Sequence, residues 1–163
     1  MEAGASKTPN GRQEVLVIRS VLRPGQGSKR YTARGSVMVF KALGEQDDGD
    51  LSIMERTLPP GGRQPPPHRH TNCSEAYFVL DGAVSITVAG EELTVGREEF
   101  VLVPRGTVHT FGNSTDSEAR LLVIHAPAMD EYFAGLHELW NGKEPPSRGE
   151  ERALMARFGM EVV

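Results

Sequence analysis

Between Gly11 and Pro127 the apolar residues come in short runs rich in Val, Ile, Phe, Tyr and Thr, split by Gly, Pro, Asp and Asn. That pattern predicts β-strands at Val15–Leu22, Tyr31–Leu43, Leu51–Leu58, Ala76–Leu80, Ala83–Val88, Glu92–Val95, Phe100–Val103, Val108–Phe111 and Ala119–His125. Asp81-Gly82 and Ala89-Gly90 each separate two apolar runs and predict two-residue hairpins. Pro104-Arg105-Gly106 predicts a turn in which proline fixes φ and glycine supplies an unusual one. Many short strands at this spacing predict an all-β protein, an antiparallel sandwich or barrel. After Pro127 the period changes. Met129, Tyr132, Phe133, Leu136 and Leu139 or Trp140 fall at helical spacing and predict an amphipathic helix. Pro145-Pro146 breaks it, and Glu150–Phe158 predicts a second short helix stopped by Gly159. The expected organisation is a disordered N-terminus over 1–12, a β domain over 13–127 and a helical extension over 128–163.

The chain has 163 residues, enough for one domain with a real core. Its single cysteine, Cys73, allows no internal disulfide and is expected to be a buried, inert thiol. The net charge of −4 and the lack of a helix-turn-helix pattern argue against nucleic acid as a partner. Charge is uneven, however. Before Gly44 stand eight bases (Lys7, Arg12, Arg19, Arg23, Lys29, Arg30, Arg34, Lys41) against Glu2 and Glu14, which suits a solvated or subunit-pairing arm. No apolar run approaches the roughly 20 residues that cross a bilayer. MEAGASKTPN lacks the apolar core of a secretory signal, so the cytoplasm is the expected compartment.

The chemistry concentrates at His68-Arg69-His70. On an extended segment residues two apart share a face, so the two imidazoles project together from Cα atoms roughly 6.6 Å apart, and Arg69 points the other way. Pro65-Pro66-Pro67 stiffens the approach. A turn through Thr71-Asn72 can return the Glu75 carboxylate towards the histidines, and His109 follows the Pro-x-Gly turn. Three imidazoles and one carboxylate suit a single divalent first-row ion: Fe, Mn, Ni, Co, Cu or Zn. Alternation from Glu75 puts Tyr77 and Val79 on the ligand face, and alternation from His109 puts Phe111 and Asn113 inward. Tyr77 and Phe111 are expected to line an apolar pocket. Arg56 faces either that pocket, where it would hold an anionic substrate, or solvent. His125 ends the last strand, where a surface or packing place is expected and a place at the barrel mouth, or behind a metal ligand, is the alternative, and His137 is expected to face solvent.

These residues resemble the cupin family. Gly62, His68, His70, Glu75 and Gly82 meet every position of that family's first motif, and Pro104, Gly106, His109 and Asn113 meet the second half of its second motif. The departure is Glu98, which stands where the second motif begins with glycine, and it suggests a shifted turn. The resemblance spans roughly Leu51 to Pro127. It implies a double-stranded β-helix, or jelly-roll barrel, with N-terminal strands and short C-terminal helices as extensions. It also implies His68, His70, Glu75 and His109 as ligands to one metal ion. Quercetinase-like cupins resemble this chain and imply a dioxygenase of a small phenolic or enol-type molecule, with Glu75 taking the substrate proton. Polyketide-cyclase-like and isomerase cupins imply a redox-neutral alternative, and storage or sensor cupins a non-catalytic one. The family further implies a homodimer paired through its sheets.

Overall fold

A computed structural model describes residues 21–142 and 144–163. The predicted disordered segment 1–12, and all but the last two residues of the predicted strand Val15–Leu22, lie outside the described residues. Residues 21–22 are not in a strand.

Among the described residues eleven strands and two α-helices follow in order, with a short 3-10 turn at Gly44–Gln46: β1 Lys29–Ala33, β2 Ser36–Ala42, β3 Ser52–Leu58, β4 His68–His70, β5 Ser74–Asp81, β6 Ala83–Val88, β7 Glu91–Gly96, β8 Phe100–Val103, β9 His109–Gly112, β10 Ala119–Ala126, α1 Asp130–Trp140, α2 Arg148–Arg157 and β11 Met160–Val162. One sheet runs β1-β2-β3-β10-β5-β8 and the other β11-β4-β9-β6-β7. Every pairing is antiparallel. This is the expected jelly roll. Alternation along β3, β5 and β10 turns Met54, Tyr77, Val79, Leu121 and Val123 inward against Met38, Phe40 and Ile86. Burying that apolar set supplies the main favourable term of the fold. The edge strand β8 leaves Phe100 and Leu102 exposed. Among the described residues no helix is long and apolar enough to cross a membrane.

Four local expectations change. Tyr31–Leu43 is not one strand but the hairpin β1–β2, turned at Arg34 and Gly35 with φ of 52° and 77°. Two successive left-handed residues match the twist of a two-residue hairpin, and Arg-Gly is an unusual pair to supply them. Asp81-Gly82 is not a hairpin. The strands β5 and β6 lie in different sheets, so the chain switches sheets there. Gly82, with φ of 71°, is needed because a Cβ would sit 2.8 Å from the Glu118 carbonyl oxygen. The helix α2 starts earlier than predicted. Ser147 caps it and exchanges hydrogen bonds with Glu150, a capping box legible as Ser-x-x-Glu.

The turn before β8 is not shifted. Glu98 itself adopts the left-handed conformation, with φ of 67°, that a glycine would take there. Its amide donates to the Val79 carbonyl at 2.8 Å, and this anchor holds it in place. The strain amounts to about 1–3 kcal/mol, part of which glycine would return as extra freedom in the unfolded chain. Glu98→Gly is therefore expected to stabilise the protein by roughly 1 kcal/mol. A denaturant midpoint that stays put or falls would show that the turn is unstrained.

The C-terminal extension closes the barrel. Along α1, Tyr132, Phe133 and Leu136 are buried, and the Phe133 ring packs 5.9 Å from Phe40 and 5.3 Å from His125. The final strand β11, absent from the predicted elements, pairs with β4 so that Met160 faces His70 and Val162 faces His68.

Candidate metal centre

Three strands bring the histidines and glutamate together. On β4, His68 and His70 point inward, while Arg69 points out and pairs with Glu161 at 2.7 Å. The tight turn after β4 starts β5 with Glu75 inward, and His109 opens β9 directly opposite His68. All four side chains are buried, and their ligating atoms lie within 4.8 Å of one another.

Glu75 is the hub. Its Oε2 accepts from His109 Nε2 at 2.9 Å and lies 3.3 Å from His70 Nε2. Its Oε1 lies 3.1 Å from His125 Nε2. The inward parity of β10 places His125 on this face, buried behind Glu75 rather than at the surface. Backbone carbonyls orient two of the rings. His68 Nδ1 donates to Pro66 at 2.9 Å and His109 Nδ1 to Thr107 at 3.0 Å, which turns both Nε2 atoms into the cluster. Both nitrogens of His70 are buried without a hydrogen-bond partner. Buried polar atoms are seldom left so, and an electron-pair acceptor at the centre of the cluster would satisfy Nε2. The donor set of imidazoles and one carboxylate, with no thiolate, therefore fits a divalent first-row ion.

The electrostatics agree with that fit. Burial alone would raise the Glu75 carboxyl, but His125, His109 and His70 hold it well below the usual carboxylate range. Burial lowers the His109 imidazole, and the Glu75 hydrogen bond more than offsets this, so His109 sits above its ordinary 6.5. Burial, aided by the neighbouring His109, pushes His68 down to about 4, leaving a neutral donor at neutral pH.

These shifts carry a pH signature in metal-free protein. The His109 contribution is fully present below its unfolded value of 6.5 and is lost as pH rises through its raised folded value. The Glu75 contribution is present above its unfolded 4.5 and is lost as pH falls through its depressed value. His68 acts in the opposite sense on the acid side: its folded value of about 4 lies below the unfolded 6.5, so the unfolded chain takes up that proton first and stability falls as pH drops from 6.5 towards 4. Denaturation of metal-free protein is thus expected to show a maximum near neutrality, with a decline on either side. A flat profile from pH 6 to pH 9 would break the His109–Glu75 assignment.

The cavity beside the cluster measures about 20 Å³, room for roughly one water molecule. Its wall includes Arg56, Phe111 and His125, with Arg34, Tyr132 and Phe133. Tyr77 does not reach it. Its ring stacks behind Phe111 at 5.1 Å, and its phenol is pushed well up by burial and by the facing Glu75. Cys73 turns away, its Sγ donating to the Ser74 and Pro127 carbonyls, and burial raises the thiol to about 12. Asn113 ties its loop to the Leu58 and Ser117 carbonyls. His137 is half-buried rather than solvent-facing. Its ring packs 5.0 Å from Tyr31 and its Nδ1 accepts from the Thr32 amide at 3.1 Å. Arg34 was not a candidate, because its place in the cavity depends on the unforeseen β1–β2 turn.

Comparison with known proteins points the same way. A family model described as the cupin domain matches residues 54–125. A quercetin 2,3-dioxygenase of Bacillus subtilis is 23% identical over 122 residues, covering 75% of this chain and 36% of that protein. A beta-D-galactosidase of Mycobacterium tuberculosis is 36% identical over 73 residues, covering 45% of this chain and 60% of that one. The chain spans less than two thirds of the curated relatives it matches. Among solved structures, a predicted oxalate decarboxylase from Thermotoga maritima superposes with a TM-score of 0.58 at 19% identity, over 66% of this chain and 99% of that one. KdgF from Halomonas sp. gives 0.56 at 17% identity, over 64% and 90%. At these identities the structural likeness shows the fold.

Proposed function

We propose that this chain, which belongs to the cupin superfamily, is a metal-dependent enzyme, a dioxygenase acting on a small enol-type or phenolic molecule. The observation that carries the proposal is the double placement of Glu75. One carboxylate oxygen faces the histidine donors and the other faces His125 across the cavity wall. His68, His70, Glu75 and His109 would hold the ion. When bound, the ion supplies a Lewis acid and, for a redox-active metal, a path for electrons between substrate and dioxygen.

The chain's own residues do the rest. Glu75 is held ionised and so can accept a proton from an acidic enol. His125 Nε2, 3.1 Å from Glu75 Oε1, steadies that oxygen, and its buried Nδ1 has no partner among the described residues. Phe111 and Phe133 keep bulk water away. The likeness to a quercetin 2,3-dioxygenase supports oxygen chemistry.

Oxygen consumption is the test. Protein loaded separately with iron, manganese, cobalt, nickel or copper is expected to take up oxygen with small 1,3-diketones or catechols, and metal-free protein is not. Glu75→Gln should lower the rate by about 10²-fold or more, the usual scale for a lost general base. Substrate consumption that proceeds equally without oxygen would replace the dioxygenase with a redox-neutral cyclase or isomerase. The cationic wall of the cavity favours that second possibility, because it would suit an enolate intermediate.

A further inference from the structure

Two arginines share the cavity with the histidine cluster. Arg56, on β3, is buried, and its Nε and Nη2 donate only to the Ser36 hydroxyl, at 3.2 and 3.0 Å. Its guanidinium lies over the Phe111 ring, 5.0 Å from the centroid. Among the described residues no carboxylate lies within 4.0 Å of it. Arg34, at the β1–β2 turn, is equally buried. Its Nε donates to Glu151 at 3.3 Å, but its buried Nη2 has no hydrogen-bond partner among the described residues.

A buried cation without a counter-charge, as Arg56 is, is expensive, and a second cation beside the same cavity repels it. Burial and the neighbouring Arg34 push Arg56 down to about 10, which still leaves it charged at neutral pH. The protein meets that expense, and holds Arg34 on a left-handed backbone besides. Charges on the cavity wall can be summed. Arg34 shares Glu151 with Arg63, Arg56 has no carboxylate within 4.0 Å among the described residues, and Glu75 is already shared among three histidines. Any cation held by that cluster leaves the enclosed space positive.

We propose that Arg34 and Arg56 form a subsite for a carboxylate, so that the substrate is a small organic acid whose carboxylate sits on the two guanidiniums while its reacting oxygen faces the Glu75–histidine cluster. The proposal rests on this cavity being the substrate site, as the proposed function holds. Guanidinium forks match the planar, two-oxygen shape of a carboxylate. The free Nη2 of Arg34 is a donor in waiting, and the Phe111 face holds Arg56 from below. The cavity takes only about one water, so a ligand there needs neighbouring side chains to shift, and Tyr132, Phe133 and Met160 of the C-terminal cap are among those lining it.

Binding to metal-free protein tests this without turnover, so its outcome is independent of whether the enzyme uses oxygen. Malonate is expected to raise the melting temperature and to give a calorimetric binding signal that weakens with added salt. Malonamide, of similar shape and no charge, is expected to do neither. Arg56→Met should weaken malonate binding at least tenfold while leaving the melting temperature of ligand-free protein unchanged or higher, because it removes an uncompensated buried charge. A purely structural arginine would give the opposite, a lower melting temperature. Arg34→Gln, which keeps a donor towards Glu151, should also weaken malonate tenfold. Arg56→Lys, which keeps the charge and loses the fork, covers the case in which the methionine variant does not fold, and should weaken binding by a smaller factor. Equal binding of malonate and malonamide, or malonate affinity unchanged in Arg56→Met and Arg34→Gln, would overturn the proposal.

Discussion

Replacing His109 with alanine is expected to leave a folded barrel whose affinity for divalent metal falls by about 10²-fold or more. Partners one step removed from a metal already account for about 10–100-fold, and His109 would be a ligand itself. Its ring is held from both ends, by the Thr107 carbonyl at Nδ1 and by Glu75 at Nε2. No neighbouring side chain can swing in to replace it, because His125 already occupies the other oxygen of Glu75. The barrel should survive. Its packing is carried by Phe40, Met54, Ile86, Leu121 and Val123, and His109 contributes a hydrogen-bonded contact of about 1–3 kcal/mol. Metal analysis after dialysis, with calorimetric titration of the stripped protein, measures the loss. Unchanged metal content in a folded variant would remove His109 from the ligand set.

The second large effect concerns the cap. Phe133→Ala is expected to destabilise the protein by about 3–5 kcal/mol, the range for deleting a buried phenylalanine. The ring touches three different parts of the fold: Phe40 on β2, His125 on β10 and Tyr132 on its own helix. Its loss therefore loosens α1 from the barrel and also opens the wall of the cavity. Urea denaturation should show the midpoint falling at a nearly constant slope. A loss below about 1 kcal/mol would mean that the site collapses to refill the space, or that α1 contributes little to the core.

Much of the metal centre was legible because strand parity is local. His68 and His70 share a face on any extended segment, wherever that segment lies, and the same rule carries Glu75 inward with Tyr77 and Val79. The same rule, applied to β10, would have put His125 inward with Leu121 and Val123, where the structure has it. What parity leaves open is which face is the inside. For Arg56 both faces were possible until β3 was seen between β2 and β10, with Ser52, Met54 and Leu58 buried on the same side.

Turns were read less well, since one turn motif serves several topologies. Asp-Gly suits a hairpin and a sheet-switching corner equally, and only the sheet order separates them. Arg34-Gly35 went unrecognised because arginine is rarely chosen for a left-handed position, and Glu98 misled for the same reason.

By itself, the sequence determined an all-β barrel with a helical close, the four residues of the buried histidine–glutamate cluster, and the alternation of the strands that carry Glu75 and His109. These follow from side-chain periodicity and from motif spacing, which act over a few residues. The tertiary structure alone decided that Arg34 joins Arg56 in the cavity, that His125 meets the second oxygen of Glu75, and that β11 seals β4. Each of these depends on segments far apart in the chain being placed together by sheet order and helix packing, which no local pattern encodes.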